Sequence, residues 1–297
     1  MSSEGARWRV ARCVLVLWAF ACATPGGLQI REALAEEETA QTHHVECEHA
    51  KLNTDDATPV DPGGFELELA YTLSHARRQY DNRWGRRSRS LTQEHGFEVG
   101  LTYGVVDNLD VGVGFGFADL YDRDEPARFG RGLADLSVGT KWRFYHDEER
   151  ALSLAYLSGL TIPVGRRTDS SSLGPSQQYW SLDQKLAMSK DWSPWTMNAD
   201  LGYSLPFGDD TDGARGSAGF NVALGYQLND WLQPELELNY AHDFLSDGSD
   251  SDTIALTGGF IICLSENMRL DVGVQRVMAG RNTDAGTSAI VALVYAW

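Results

Sequence analysis

The 297-residue sequence predicts an all-β protein, a transmembrane antiparallel up-and-down β-barrel of about 12 strands. The prediction rests on an export leader, on period-two alternation repeated in segments of membrane-spanning length, and on tryptophans gathered toward one end of those segments.

The leader comes first in the chain. Arg7, Arg9 and Arg12 precede the apolar run CVLVLWAFACA, Cys13 to Ala23. A run this short does not span a bilayer as a helix and reads as a secretory signal peptide. Two small-residue cleavage sites compete, Ala21-Cys22-Ala23 and Ala33-Leu34-Ala35, and the acidic EEE after Ala35 favours the second. Acylation of Cys22 is not expected, because Ala19 stands where a lipoprotein signal carries Leu. The plan is therefore a signal peptide over 1–35, a polar, disordered periplasmic tail over 36–62, and an outer-membrane barrel over 63–297.

Charge and cysteine content narrow the function. The chain carries −17; without residues 1–35 it keeps 21 basic and 40 acidic residues, or −19. So acidic a surface argues against nucleic acid as a partner. Only Cys47 and Cys263 survive processing, which excludes a disulfide scaffold but allows one bridge in an oxidising compartment. No later stretch is long and apolar enough for a membrane helix.

From Phe65 the sequence divides into segments near 65–75, 95–105, 109–119, 133–145, 151–163, 179–189, 195–206, 217–228, 231–243, 252–264, 267–277 and 286–297. Their connections alternate. VVDN, HDEER, KDWSP, LND and SEN are tight, whereas the stretches starting at Ala76, Leu120, Val164, Phe207, Leu245 and Met278 are longer and rich in Gly, Ser, Asp and Arg. Short turns on one side and long loops on the other predict a barrel with both termini in the periplasm.

Phase assigns the faces. In the first segment Phe65, Leu67, Leu69, Tyr71 and Leu73 oppose Glu66, Glu68, Ala70, Thr72 and Ser74. The third sets Leu109, Val111, Val113, Phe115 and Phe117 against Asp110, Gly112, Gly114 and Gly116, and the ninth sets Leu232, Pro234, Leu236, Leu238 and Tyr240 against Gln233, Glu235, Glu237 and Asn239. Gln184 breaks the pattern by landing outward. Trp142, Trp192, Trp195, Trp231 and Trp297 all lie near a tight turn or the chain end, as an interfacial aromatic belt requires. The last strand, SAIVALVYAW, is apolar on both faces; it closes the barrel beside the first and anchors its aromatic end at the periplasmic interface.

That strand resembles the C-terminal assembly signal of bacterial outer-membrane proteins, with Trp297 where Phe is usual, which implies the barrel-assembly machinery as a partner. The phrases GLTYGVVDNLDVGVGF, ADLSVGTKWRF, LAMSKDWSPWTMNADLGYS, VALGYQLNDWLQPELELNY and LSENMRLDVGV resemble the MetA-pathway phenol-degradation family of outer-membrane transporters. The resemblance spans 65–297. It implies uptake of hydrophobic or aromatic compounds and brings no catalytic or binding residues with it.

The inward phase sends Glu66, Glu68, Glu98, Asp110, Asp135, Asp183, Asp200, Glu235, Glu237 and Asp271 to the lumen, opposed by Lys141, Arg143, Lys185 and Arg269. This excess of acids predicts a cation-preferring interior, or a salt-bridged one without traffic; Glu66, Glu68, Glu235 and Glu237 are the residues expected to set ion preference. RRQYDNRWGRRSRS places Arg77, Arg78, Arg83, Arg86, Arg87 and Arg89 in the first long loop, where guanidinium groups match lipopolysaccharide phosphates or merely offset nearby carboxylates. Asp247, Asp250 and Asp252 are oxygen ligands without EF-hand spacing, so a hydrated loop is the reading there. In the tail, His43, His44, Cys47 and His49 are sound ligands for Zn²⁺ or Cu²⁺ at a spacing that matches no defined site, and no cofactor is expected. Cys263 falls in the lumen phase near the periplasmic end; a bridge to Cys47 pulls the tail into the mouth as a plug. His75, His95 and His242 near the outer rim, with Asp119 and Asp243, bear a loose likeness to a rim hydrolase, but no nucleophile is paired with them and an enzyme is not expected.

The sequence thus reads as a channel or transporter for passive uptake of small solutes. A structural or surface-interaction barrel with a closed lumen is the alternative.

Overall fold

The computed structural model describes residues 50–208, 211 and 213–297. These lie in the compact unit His43–Trp297; the unit Met1–Thr42 lies outside the described residues, as do both cleavage sites and His43, His44, Cys47 and His49.

The strands are β1 (Phe65–Tyr80), β2 (Arg86–Val106), β3 (Leu109–Asp122), β4 (Phe129–Leu133), β5 (Leu136–Asp147), β6 (Leu152–Ile162), β7 (Trp180–Trp192), β8 (Trp195–Phe207), β9 (Ala214–Tyr226), β10 (Leu232–Leu245), β11 (Ser251–Ser265), β12 (Met268–Arg281), β13 (Thr283–Asp284) and β14 (Thr287–Ala296). Each main strand pairs antiparallel with its sequence neighbour, and β1 pairs with both β2 and β14, which closes the sheet. Two wall positions are interrupted. β4 and β5 share one, broken at Ala134 and Asp135, and β13 and β14 share another, so fourteen strands build the expected twelve-position barrel. Closure leaves no unpaired edge in lipid, the condition that lets a sheet cross a membrane.

Burial is inverted relative to a water-soluble sandwich. The large apolar residues face out, with Leu236 60% and Phe97 52% exposed, while Ala155, Ala187, Ala223, Asn198, Gln233, Glu237 and Thr257 are buried inside. Hydrocarbon outside takes the role of a core. The five tryptophans of the predicted belt are all exposed at the end holding the tight turns, and Trp297 stacks on Phe65 at 5.5 Å, where Phe65 N and Trp297 N exchange carbonyl bonds across the seam. The outward Gln184 is held on the wall by Ser158 and Tyr156, so the break in alternation is met by a local polar cluster rather than a shift of register.

Two expectations need correction. The strands run beyond the membrane on the loop side, so the first long loop shrinks to residues 81–85. Arg77 and Arg78 belong to β1, and Arg86, Arg87 and Arg89 to β2; only Arg83 lies in the turn. Local sequence missed this because RRSRS lacks apolar alternation, yet its backbone pairs above the lipid, where side-chain polarity costs nothing. The second correction concerns the polar tail: its described part, 50–62, is anchored inside the barrel.

Candidate functional site

The tail enters β1 through Gly63, at φ 79°, whose N–H donates to the Gly104 carbonyl at 2.8 Å. A Cβ on Gly104 would meet the Asp61 carbonyl oxygen at 1.9 Å, so glycine there lets the tail cross β2 backbone to backbone. Upstream, the chain runs along the inner faces of the wall, and its amides are taken up by side chains, since it forms no ladder of its own.

The carboxylates predicted to line the lumen supply most of the acceptors. Leu52 N donates to Glu235 Oε1 at 2.8 Å, Asn53 N to Glu237 Oε1 at 2.9 Å, Asn53 Nδ2 to Glu237 Oε2 at 3.0 Å and Thr54 N to Glu237 Oε1 at 3.3 Å. Asp55 N donates to Asp200 Oδ2 at 2.9 Å, Ala57 N to Ser189 Oγ at 2.9 Å and Val60 N to Asp110 Oδ2 at 3.2 Å. The lysines answer the tail's own carboxylates, with Lys185 Nζ 2.5 Å from Asp55 and Lys141 Nζ 2.9 Å from Asp56. Apolar contacts complete the fit. Ala57 is fully buried against Ala155, Ala187 and Leu157, and the Leu52 side chain fills a recess over Gly259 and Gly273, which are register partners.

The other predicted lining residues divide. Arg269 pairs with Asp271 at 3.1 Å, and Thr161 Oγ1 donates to Asp183 at 3.4 Å. Asp135, at the break between β4 and β5, accepts from Gly165 N at 3.0 Å and Gln177 N at 2.9 Å, fastening the 163–179 loop instead of lining a path. Arg143 donates to the Asp107 carbonyl at the periplasmic rim. Glu66, Glu68 and Glu98 make no hydrogen bond or ion pair among the described residues. They stand side by side on β1 and β2, with Glu98 opposite Ala70 and Glu68 opposite Gly100. Above them, Ser74, Glu94, Gln275 and Ser288 line a cavity of about 420 Å³ on the loop side.

Toward the loop-side end, Arg87 is paired with Asp81 at 2.6 Å, and Arg89 with Asp122 at 2.9 Å and with Asp284, two residues that also line that cavity. Hydrogen bonds from the Arg83 and Gly85 amides, then the Arg87 guanidinium, hold the Asp81 carboxyl below the usual carboxylate range. The three loop aspartates do not converge on a common point. Asp247 bonds Ser249, Asp250 accepts from Leu245 N, and Asp252 is bound by His242 and Arg281, each at 2.7 Å. The rim histidines are likewise dispersed, His242 on β10 and His95 on β2 between Tyr71 and Gln93. Cys263 is disulfide-bonded, and its partner lies outside the described residues.

Sequence reasoning missed Leu52, Asn53 and Ala57. The available signal was glycine at positions 104, 259 and 273 on the inner face, which vacates the space that Asp61 and Leu52 occupy.

A closed antiparallel barrel with an apolar outer face, an aromatic belt and a lumen holding residues 50–62 of its own chain is an outer-membrane β-barrel protein. The family described as "Putative MetA-pathway of phenol degradation" matches residues 102–293, and the chain belongs to it. Among solved structures, an outer-membrane channel from Pseudomonas putida F1 aligns at 16% identity over 83% of this chain and 100% of its own, with a TM-score of 0.70. The β-domain of the Bordetella autotransporter BrkA aligns at 15% identity over 80% of this chain and 100% of its own, with a TM-score of 0.51. Both likenesses are of fold. No curated protein matches the chain.

Proposed function

We propose that this barrel is a passive outer-membrane channel for small solutes, with its bore narrowed by residues 50–62. The observation that carries the reading is the division of labour among the lumen acids. Asp110, Asp200, Glu235 and Glu237 hold the tail, whereas Glu66, Glu68 and Glu98, on the β1–β2 side below the cavity at Ser74 and Glu94, make no hydrogen bond or ion pair among the described residues. Such a line favours cations and small polar or neutral solutes over anions. Membership of a family described by a phenol-degradation pathway supports uptake of small aromatic compounds, and the fold shared with a Pseudomonas outer-membrane channel supports a channel role. The final strand, ending at Trp297, would engage the barrel-assembly machinery.

A second reading has its own observation. In it, the bonds that residues 50–62 make to the wall keep the lumen closed, and the barrel works as a surface-interaction or structural element. Planar-bilayer recording of the purified protein under a KCl gradient separates the two. The channel reading expects steady, cation-preferring current whose preference falls in the Glu66→Gln/Glu68→Gln/Glu98→Gln protein; silence from a correctly folded barrel favours the closed one.

A further inference from the structure

The outer wall carries a basic groove at the loop side, at the upper edge of the apolar belt. Its volume is about 640 Å³, and it is lined by Arg77, Arg78, Arg86 and Arg276, with His75 and Leu73. No acidic residue lines it, in a chain with 42 acidic and 25 basic residues. None of the four arginine side chains makes a hydrogen bond or ion pair among the described residues, in contrast to Arg87 and Arg89, which neighbouring aspartates neutralise. Four guanidinium groups crowded without counter-ions repel one another, and a ligand with several negative charges relieves that repulsion.

Strand register fixes what lies beneath. Arg276, Thr287, His75 and Gln93 are partners in one row across β12, β14, β1 and β2. The next row toward the membrane is Val274, Ala289, Leu73 and His95, and the one after it Val272, Val291, Tyr71 and Phe97. Val274 is 52% exposed, so these rows face lipid. Within about 13 Å along the strands, two steps between same-face rows, the wall changes from guanidinium to hydrocarbon-facing apolar surface. The tight turns and both barrel ends lie on the opposite side, which puts the groove in the outer leaflet.

We infer that this groove binds a phosphorylated, multiply acylated glycolipid of the outer leaflet, with its phosphates among Arg77, Arg78, Arg86 and Arg276 and its acyl chains over Val274, Leu73 and Phe97. Charge decides for a glycolipid with two phosphates over a phospholipid. A single phosphodiester brings one negative charge to four cations, whereas two phosphate monoesters nearly balance them and present oxygens in the geometry a guanidinium fork accepts. Arg276 is the residue that ties the cluster to the lipid-facing wall, because its row sits directly above the apolar rows, below the strand extensions that carry Arg77, Arg78 and Arg86.

The test uses the purified, refolded protein in detergent, with native mass spectrometry reading the lipid retained. The probes are bis-phosphorylated lipid A, the same glycolipid without phosphates, and phosphatidylglycerol. Heat-modifiable gel mobility verifies that each variant is folded. The native protein is expected to retain bis-phosphorylated lipid A at least ~10-fold more tightly than either other probe, and Arg77→Gln/Arg276→Gln to lose at least ~10-fold, the scale of one charge-assisted contact or more. Arg87→Gln, whose guanidinium is already paired with Asp81, is expected to bind as the native protein does. Unchanged retention by the double variant, or phosphatidylglycerol held as tightly as lipid A, would overturn the assignment.

Discussion

Replacing Glu237 by alanine should release the plug. The carboxylate is 1% exposed and accepts three bonds from the tail, from Asn53 N, Asn53 Nδ2 and Thr54 N. A hydrogen bond to a charged acceptor contributes about 1.5–3 kcal/mol when water is excluded, but a cavity left by alanine admits water from the lumen. At the net value of an ordinary hydrogen bond, about 1 kcal/mol, three bonds amount to about 3 kcal/mol, or a roughly 150-fold shift of the tail toward the released state. Asn239 Nδ2, which also donates to Glu237 at 3.3 Å, keeps its bond to Asn221 Oδ1, so the wall retains most of its own network. The assay is maleimide labelling of a Thr54→Cys reporter in the barrel, with single-channel conductance alongside. In the parent background the reporter is expected to label slowly; with Glu237→Ala it should label at least ~10-fold faster while conductance rises. Equal labelling rates from two folded barrels would refute the reasoning, since they would mean that the three bonds contribute nothing to holding the tail.

Two further outcomes follow from the same geometry. Gly273→Val should expel Leu52, because a Cβ at position 273 meets Leu52 Cδ1 at 2.5 Å; limited proteolysis should then cut within 50–58 while heat-modifiable mobility persists. Non-reducing peptide mapping should join Cys263 to the peptide containing Cys47, which lies three residues before Ala50; two free thiols, or a bridge to another cysteine, would remove the tail's proposed covalent clasp.

How much of this was legible in advance depends on the range of the interaction. Leu236 and Leu238 alternate with Glu235 and Glu237 in the sequence as they do on the wall, because side-chain direction in a strand has a fixed period of two and needs no partner to define it. The same rule sends Asp110, Asp200 and Lys185 inward. It was silent about what they meet there. Asp135 obeys no alternation, since it sits at a break in the strand and is claimed by the backbone of a loop thirty residues later.

The tail is the clearest case. Its composition is that of a segment unable to bury enough apolar surface to order itself, and by itself that conclusion is sound. Order comes instead from carboxylates and lysines that the barrel has already desolvated and that need partners; the tail's amides, Asp55 and Asp56 supply them. The extent of the strands was underestimated for a related reason, because above the lipid a strand needs only backbone pairing and its side chains lose the alternating signature.

The sequence by itself determined the barrel, its strand phase, its inside-out burial and the end at which the tryptophans gather, since each follows from local periodicity in an apolar solvent. Only the tertiary structure decided that Glu237 grips Asn53, that Leu52 rests on Gly273, that Arg89 is spent on Asp122 and Asp284, and that Arg276 joins Arg77 across the seam. Those meetings join residues up to about 220 positions apart in the chain, and closing the barrel, which sets every strand beside its neighbour at one register, is what brings them together.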